Sequence, residues 1–149
     1  MFTSTRRAFL IAVIGAALLT GCAASGPQFT GLDPVQQDNA NIYFYRNSAL
    51  FAVAQSFTLN MDGKSVGQLY NASYQKISTA PGTHVLEVAP GGLSKKAMLE
   101  VTLKPNKTYF YEYDFSTGPI ANIFFIGSSI QPREQAKALD DLKALKRAD

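Results

Sequence analysis

At 149 residues, 46% apolar and 17% charged, the chain can bury one core with a connecting segment but not several domains. Its formal charge of +3 is thinly spread, with no basic run longer than the pairs Arg6-Arg7, Lys95-Lys96 and Lys146-Arg147, which argues against nucleic acid as a partner. A single histidine and a single cysteine leave no ordinary ligand set for a transition metal and no intramolecular disulfide.

Residues 1–21 divide into the three parts of a secretory signal. Residues 1–7 carry Arg6 and Arg7 and no acid, residues 8–19 are apolar, and Leu19-Thr20-Gly21-Cys22 follows. The apolar run falls well short of the roughly 20 residues that a bilayer-spanning helix needs. Leu19-Thr20-Gly21-Cys22 resembles the lipobox of bacterial lipoprotein precursors, in which a small residue precedes the cut and the thiol takes a diacylglyceryl group. The resemblance implies cleavage between Gly21 and Cys22, a thioether-linked lipid on Cys22, and an acylated (palmitate-type) amine. Stable anchoring takes two or more chains, each buried CH₂ contributing about 0.8 kcal/mol. Ala23 stands where an Asp would resemble an inner-membrane retention signal, so the resemblance places the protein at the outer membrane, facing the periplasm. Thr5-Arg6-Arg7-Ala8-Phe9-Leu10 also looks like a twin-arginine export motif, although two arginines equally suit the general secretory route. Without Arg6 and Arg7, twelve basic residues face eleven acids, and the charge falls to near +1.

Residues 22–40 lack periodicity and carry Gly26, Pro27, Gly31 and Pro34, which reads as a lipidated cysteine and a flexible tether. The alternative is a short arm packed on the domain through Phe29 and Leu32. From residue 41 the pattern becomes strand-like. The predicted strands are 42–46, 56–61, 64–70, 74–79, 83–89, 96–103 and 108–115. Asp62-Gly63 is a strong hairpin signal, because both central residues of the favoured tight turn need positive φ. In the sixth strand Ala97, Leu99, Val101 and Leu103 alternate with Lys96, Met98, Glu100 and Thr102 on the other face. Residues 119–130 are apolar; buried, residues 120–126 form one more strand or a covering loop, which is the first expectation, and exposed they mark a contact site. Residues 132–147 read as a helix, with Pro132 at its first position and Ala136, Leu139, Leu142 and Leu145 as its apolar stripe. The expected fold of residues 41–149 is therefore mainly β, an antiparallel sandwich of about seven strands with a C-terminal helix.

Three phrases occur together: Ile42-Tyr43-Phe44-Tyr45-Arg46, Asp62-Gly63-Lys64-Ser65-Val66-Gly67-Gln68-Leu69, and Pro81-Gly82-Thr83-His84-Val85-Leu86 followed by Lys107-Thr108-Tyr109-Phe110-Tyr111. Behind a lipobox, over roughly residues 40–115, the set resembles the bacterial lipoproteins grouped as domain of unknown function 2846. Its rhythm is also similar to PEGA-type surface-layer modules, which are β-sandwiches. Neither resemblance implies a reaction.

His84 follows a turn, and no nucleophile or orienting acid is visible beside it, so no role is assigned to it. Glu112 and Asp114 share one face of a strand, with Glu87 and Glu100 elsewhere, as solubilising carboxylates do; two catalytic carboxylates for a cell-wall hydrolase are the remote alternative. Tyr109, Tyr111, Tyr113 and Phe115 alternate along one strand, and Tyr43 and Tyr45 along another. Core packing is the first expectation for them. The second is a ligand platform in which Tyr109, Tyr111 and Tyr113 stack on sugar rings. The sequence thus points to a non-catalytic binding or scaffolding domain, with no metal and no cofactor. Its expected partners are a membrane, held through the lipid anchor, and an envelope protein or cell-wall glycan.

Overall fold

The run Asn41-Ile42-Tyr43-Phe44-Tyr45-Arg46 offers bulky side chains to both sides of a sheet, and it forms a strand in which all seven residues from Ala40 to Arg46 are buried. A computed structural model describes residues 23–50, 52–89, 96–120 and 123–149. Leu19, Thr20, Gly21 and Cys22, like the rest of the expected leader, lie outside the described residues.

The elements in chain order are β1 (Ala40–Arg46), β2 (Phe57–Met61), β3 (Lys64–Leu69), β4 (Ser73–Thr79), β5 (Gly82–Ala89), β6 (Ala97–Leu103), β7 (Lys107–Ile120), β8 (Ile123–Pro132), α1 (Gln135–Leu142) and β9 (Lys146–Arg147). Five strands form a mixed sheet in the order β8-β7-β1-β4-β9, in which β1 runs parallel to β7 and antiparallel to β4. The other sheet, β3-β2-β5-β6, is antiparallel throughout. The protein is therefore a mainly β, sandwich-like fold with one C-terminal helix. All seven expected strands are present, joined by β8 and the short β9.

Because side chains alternate along a strand, β1 feeds two cores. Ile42 and Phe44 face the second sheet, among Phe57, Leu59, Leu86 and Val88. Tyr43 and Tyr45 face the other way, where Tyr74, Phe110, Ala138, Leu142 and Leu145 cover them. The register Ile42↔Tyr109, Tyr43↔Phe110 and Phe44↔Tyr111 extends this split onto β7. At the β2–β3 turn Asp62 and Gly63 both have positive φ, 52° and 77°, as the tight hairpin requires.

Two expectations need correction and one pair of alternatives is resolved. The helix covers Gln135–Leu142 and not 132–147: Pro132 ends β8 opposite Tyr111, and Arg133 N donates to Phe110 O at 2.9 Å. An edge strand tolerates a proline because its outward N–H has no partner to lose. Ala138 and Leu142 are the buried helical positions, while Leu145 reaches the same core through a turn in which its N–H donates to Leu142 O at 2.9 Å. Secondly, of the two alternatives for the apolar segment after Pro119, a further strand or a covering loop, the strand forms, pairing β8 with β7 from Ile120↔Ile123 to Tyr111↔Pro132.

Thirdly, the described part of 22–40 is no free tether. Ala23 bridges Asn71, Gly26 N donates to Arg147 O at 3.1 Å, Arg147 N to Pro27 O at 2.9 Å, and Phe29 N to Leu145 O at 3.1 Å. The Phe29 ring meets Tyr43 and Tyr74 edge-on, with centroids 5.9 and 5.7 Å apart. Further along, Tyr43 Oη accepts a hydrogen bond from Asp33 N at 2.8 Å. Glycine is required at position 26 because an added Cβ would sit 2.6 Å from Arg147 O.

Truncating Phe44, which is fully buried, to Ala should cost about 3–5 kcal/mol in denaturant unfolding. Lys107→Ala, on the surface at the start of β7, should stay within about 0.5 kcal/mol of the parent.

Candidate functional site

The tyrosine stripe on β7 points into the sandwich. Tyr111 and Tyr113 are 6% and 1% exposed, and Tyr113 packs on Phe57 with centroids 5.2 Å apart. Burial raises the pKa of both phenols above the ordinary tyrosine value. Ser128 Oγ donates to Tyr113 Oη at 3.1 Å, and Lys104 N donates to the half-buried Tyr109 Oη at 2.8 Å. Of the two expectations for the stripe, core packing describes Tyr111 and Tyr113, whose rings pack in the sandwich and leave no face on which a sugar could stack, while Tyr109 is half-buried at the rim of the same core. Tyr43 and Tyr45 lie on the opposite face of their sheet, under α1 and the N-terminal arm.

His84 is a clip between two turns. Its Nδ1 lies 2.7 Å from Asp62 Oδ2 and its Nε2 lies 3.0 Å from Ala80 O, while Asp62 Oδ1 accepts from Val85 N at 2.8 Å. Both ring nitrogens face acceptors, which suits the imidazolium. The Asp62 carboxylate accordingly raises the His84 pKa, and the His84 hydrogen bond lowers that of Asp62.

The most structured polar cluster sits where β7, the end of β8 and α1 meet. A cavity of about 240 Å³ is lined by residues 108–111 of β7, Pro132, Arg133, Glu134 and Gln135. Beside it a second hollow of about 320 Å³ is lined by Pro132, Arg133, Glu134 and Lys137. These volumes lie at or below the floor of ordinary small-molecule sites, roughly 300–1,000 Å³. Arg133 borders both. Its Nε donates to Glu112 Oε2 at 2.6 Å, and Asn47 Nδ2 donates to Glu112 Oε1 at 2.8 Å. Behind them Tyr45 Oη donates to Asp141 Oδ2 at 3.0 Å, and the Lys137 ammonium pairs with the other Asp141 oxygen. Burial, then the Asp141 carboxylate, pushes the Tyr45 phenol far above its usual range. Arg133 is raised chiefly by its bond to Glu112, and Lys137 by its bond to Asp141.

Glu112 and Asp141 each hold one cation and one neutral donor. The arrangement thus presents a charged contact surface of guanidinium, ammonium and carboxylate around an open hollow. Asp114 remains exposed on β7, and Glu87 pairs with Lys96 at 3.0 Å. Among the described residues no group of three or more His, Cys, Asp or Glu could hold a metal ion. Sequence reasoning missed the Arg133–Glu112–Asn47 cluster because it placed Arg133 inside a helix. The available signal was the face of Glu112, opposite to that of Tyr111 and Tyr113.

The His84 clip predicts a pH signature. A pKa raised on folding contributes stability in full below the unfolded value of about 6.5, and that contribution disappears as pH rises through the folded value. The melting-temperature gap between parent and His84→Gln should therefore be widest near about pH 6 and narrow towards about pH 9. A gap independent of pH would show that the clip is not charged.

No curated protein and no solved structure matches this chain. A family model matches residues 36–128, which takes in both sheets from β1 into β8 and leaves out the N-terminal arm, α1 and β9. By that match, over more than half of its length, the chain belongs to the family described as protein of unknown function (DUF2846).

Proposed function

We propose that the chain is a lipid-anchored protein of the bacterial cell envelope, whose β-sandwich acts by binding or scaffolding without catalysis of its own. The carrying observation is the order of residues at the N-terminus. A basic segment, an apolar run and Leu19-Thr20-Gly21-Cys22 are followed, one residue later, by an arm hydrogen-bonded to the domain. Acyl chains on Cys22 would hold the domain close to the bilayer, with no protein segment crossing it. Among the described residues no helix is long and apolar enough to cross.

The outer membrane, with the domain facing the periplasm, is the proposed location, since Ala23 follows Cys22. The Arg133, Glu134 and Lys137 rim supplies the contact chemistry for an envelope partner: charges of both signs, partly fixed in place, suit a polar protein surface.

Expressed in its native envelope, the parent protein should partition into the detergent phase of a phase-separating detergent, with the mass of a processed, acylated Cys22. Cys22→Ser should stay in the aqueous phase or remain as unprocessed precursor. An unmodified thiol at Cys22 in parent material would overturn the anchoring. Turnover of a labelled cell-wall polymer by the purified protein would overturn the non-catalytic reading.

A further inference from the structure

The two edges of β7 are not equally paired. Against β1 the ladder runs from Lys107 to Glu112, but β8 joins β7 only from Tyr111 onwards. β8 ends at Pro132, Arg133 N adds one bond to Phe110 O at 2.9 Å, and the chain then leaves the sheet for α1. A β8 continued in the same register would set Gln135 opposite Thr108, yet Gln135 is already the first residue of the helix.

In an antiparallel ladder bonded positions alternate, and a bonded residue turns both of its main-chain groups to the same edge. Phe110 O faces the β8 side, so Phe110 N–H and both main-chain groups of Thr108 face it as well. Among the described residues nothing pairs with these three groups on that side. They border the cavity of about 240 Å³, and Pro132 and Arg133, level with Tyr111 and Phe110, close one end of the open edge.

Arg133 at that closed end is both fixed and available. Its Nε is committed to Glu112 Oε2 at 2.6 Å, and Asn47 holds the other oxygen of that carboxylate. The two Nη nitrogens donate to no group among the described residues, and the side chain is 33% exposed. The bond through Nε therefore positions the guanidinium and leaves a charged pair of donors beside the open main-chain groups. Glu134, the carboxylate that lines the cavity, is exposed and pairs with no cation among the described residues.

We infer that this notch binds the carboxyl end of an extended polypeptide, belonging to another envelope protein, as a parallel strand added to β7. The inference rests on the binding reading and names the partner group of the Arg133 rim. In a parallel ladder the last residue of the guest lies opposite Tyr109. Its N–H donates to Thr108 O, and one carboxylate oxygen accepts from Phe110 N–H. The other carboxylate oxygen meets the Nη nitrogens of Arg133. A chain end fits here where the middle of a chain would run into Pro132 and Arg133. Charge sets the direction, since a reversed strand would bring its ammonium against the guanidinium. Glu134 opposes an anionic guest and so limits the affinity.

The test titrates the full-length, isotope-labelled protein in detergent micelles with pools of random N-acetylated tetrapeptides, up to about 10 mM, the weak end of specific binding. One pool of L-residues ends in a free carboxylate, a second in a carboxamide, and a third has free carboxylates on D-residues. The free-acid L pool should shift the amide resonances of Thr108 and Phe110 and the Nε–H of Arg133. The carboxamide pool, the D pool and the Arg133→Gln variant should each need at least about tenfold more peptide, as the loss of a charge-assisted bond or of ladder geometry implies. Glu134→Gln should need about twofold less, the effect of removing one exposed like charge. Absence of these shifts in the parent protein with the free-acid L pool would overturn the inference. Equal shifts from the acid and carboxamide pools, or weaker binding by Glu134→Gln, would overturn it too. Each of those results leaves anchoring, and binding through another face, intact. Turnover of a cell-wall polymer would instead remove the binding reading, and this inference with it.

Discussion

The structure depends on β1 being buried on both faces. A strand of seven covered residues needs a layer on each side. The antiparallel β3-β2-β5-β6 sheet covers Ile42 and Phe44, while α1, the turn at Leu145 and the arm at Phe29 cover Tyr43 and Tyr45. Central placement follows from the same constraint, since a strand with no wet face is best paired on both edges, here by β4 and β7. Most of the polar groups that burial imposes are used: Asn41 Nδ2 donates to the carbonyls of Asp33 and Pro34, and Arg46 binds the carbonyls of Ala52 and Gln55, while the buried Asn41 Oδ1 has no hydrogen-bond partner.

This layering explains which features were legible in the sequence. Strands such as β6, with Ala97, Val101 and Leu103 inside and Met98 outside, announce themselves by period-two alternation. The Asp62-Gly63 turn announces itself by its backbone chemistry. The tyrosine stripe was legible as a stripe, but whether a second sheet covered it depends on long-range packing that no local pattern encodes. Residues 23–34 were misread for a related reason. Their attachment is largely main-chain hydrogen bonds and one ring, Phe29, and backbone bonding to β9 leaves little mark on composition. The helix was drawn too long because Leu139, Leu142 and Leu145 keep a helical spacing. Leu145 fills the same core from a turn after the helix has stopped, so spacing alone could not separate the two.

The candidate site was less legible than the fold. Glu112 was recognised as a surface carboxylate, yet its partners Asn47 and Arg133 come from distant loops, 65 and 21 residues away in sequence. The cluster stands at the seam where β8 gives way to α1, on the helix-bearing face of the five-stranded sheet. The N-terminal arm, by contrast, begins next to the β3–β4 connection, where Ala23 bridges Asn71.

The most direct test of the double burial of β1 is native-state hydrogen exchange resolved by residue. Amides of Ile42, Tyr43, Phe44 and Tyr45 should exchange only through global unfolding, with opening free energies equal to the stability from denaturant titration, while those of the two-residue β9 exchange through smaller openings. Exchange from β1 as fast as from β9 would contradict the account.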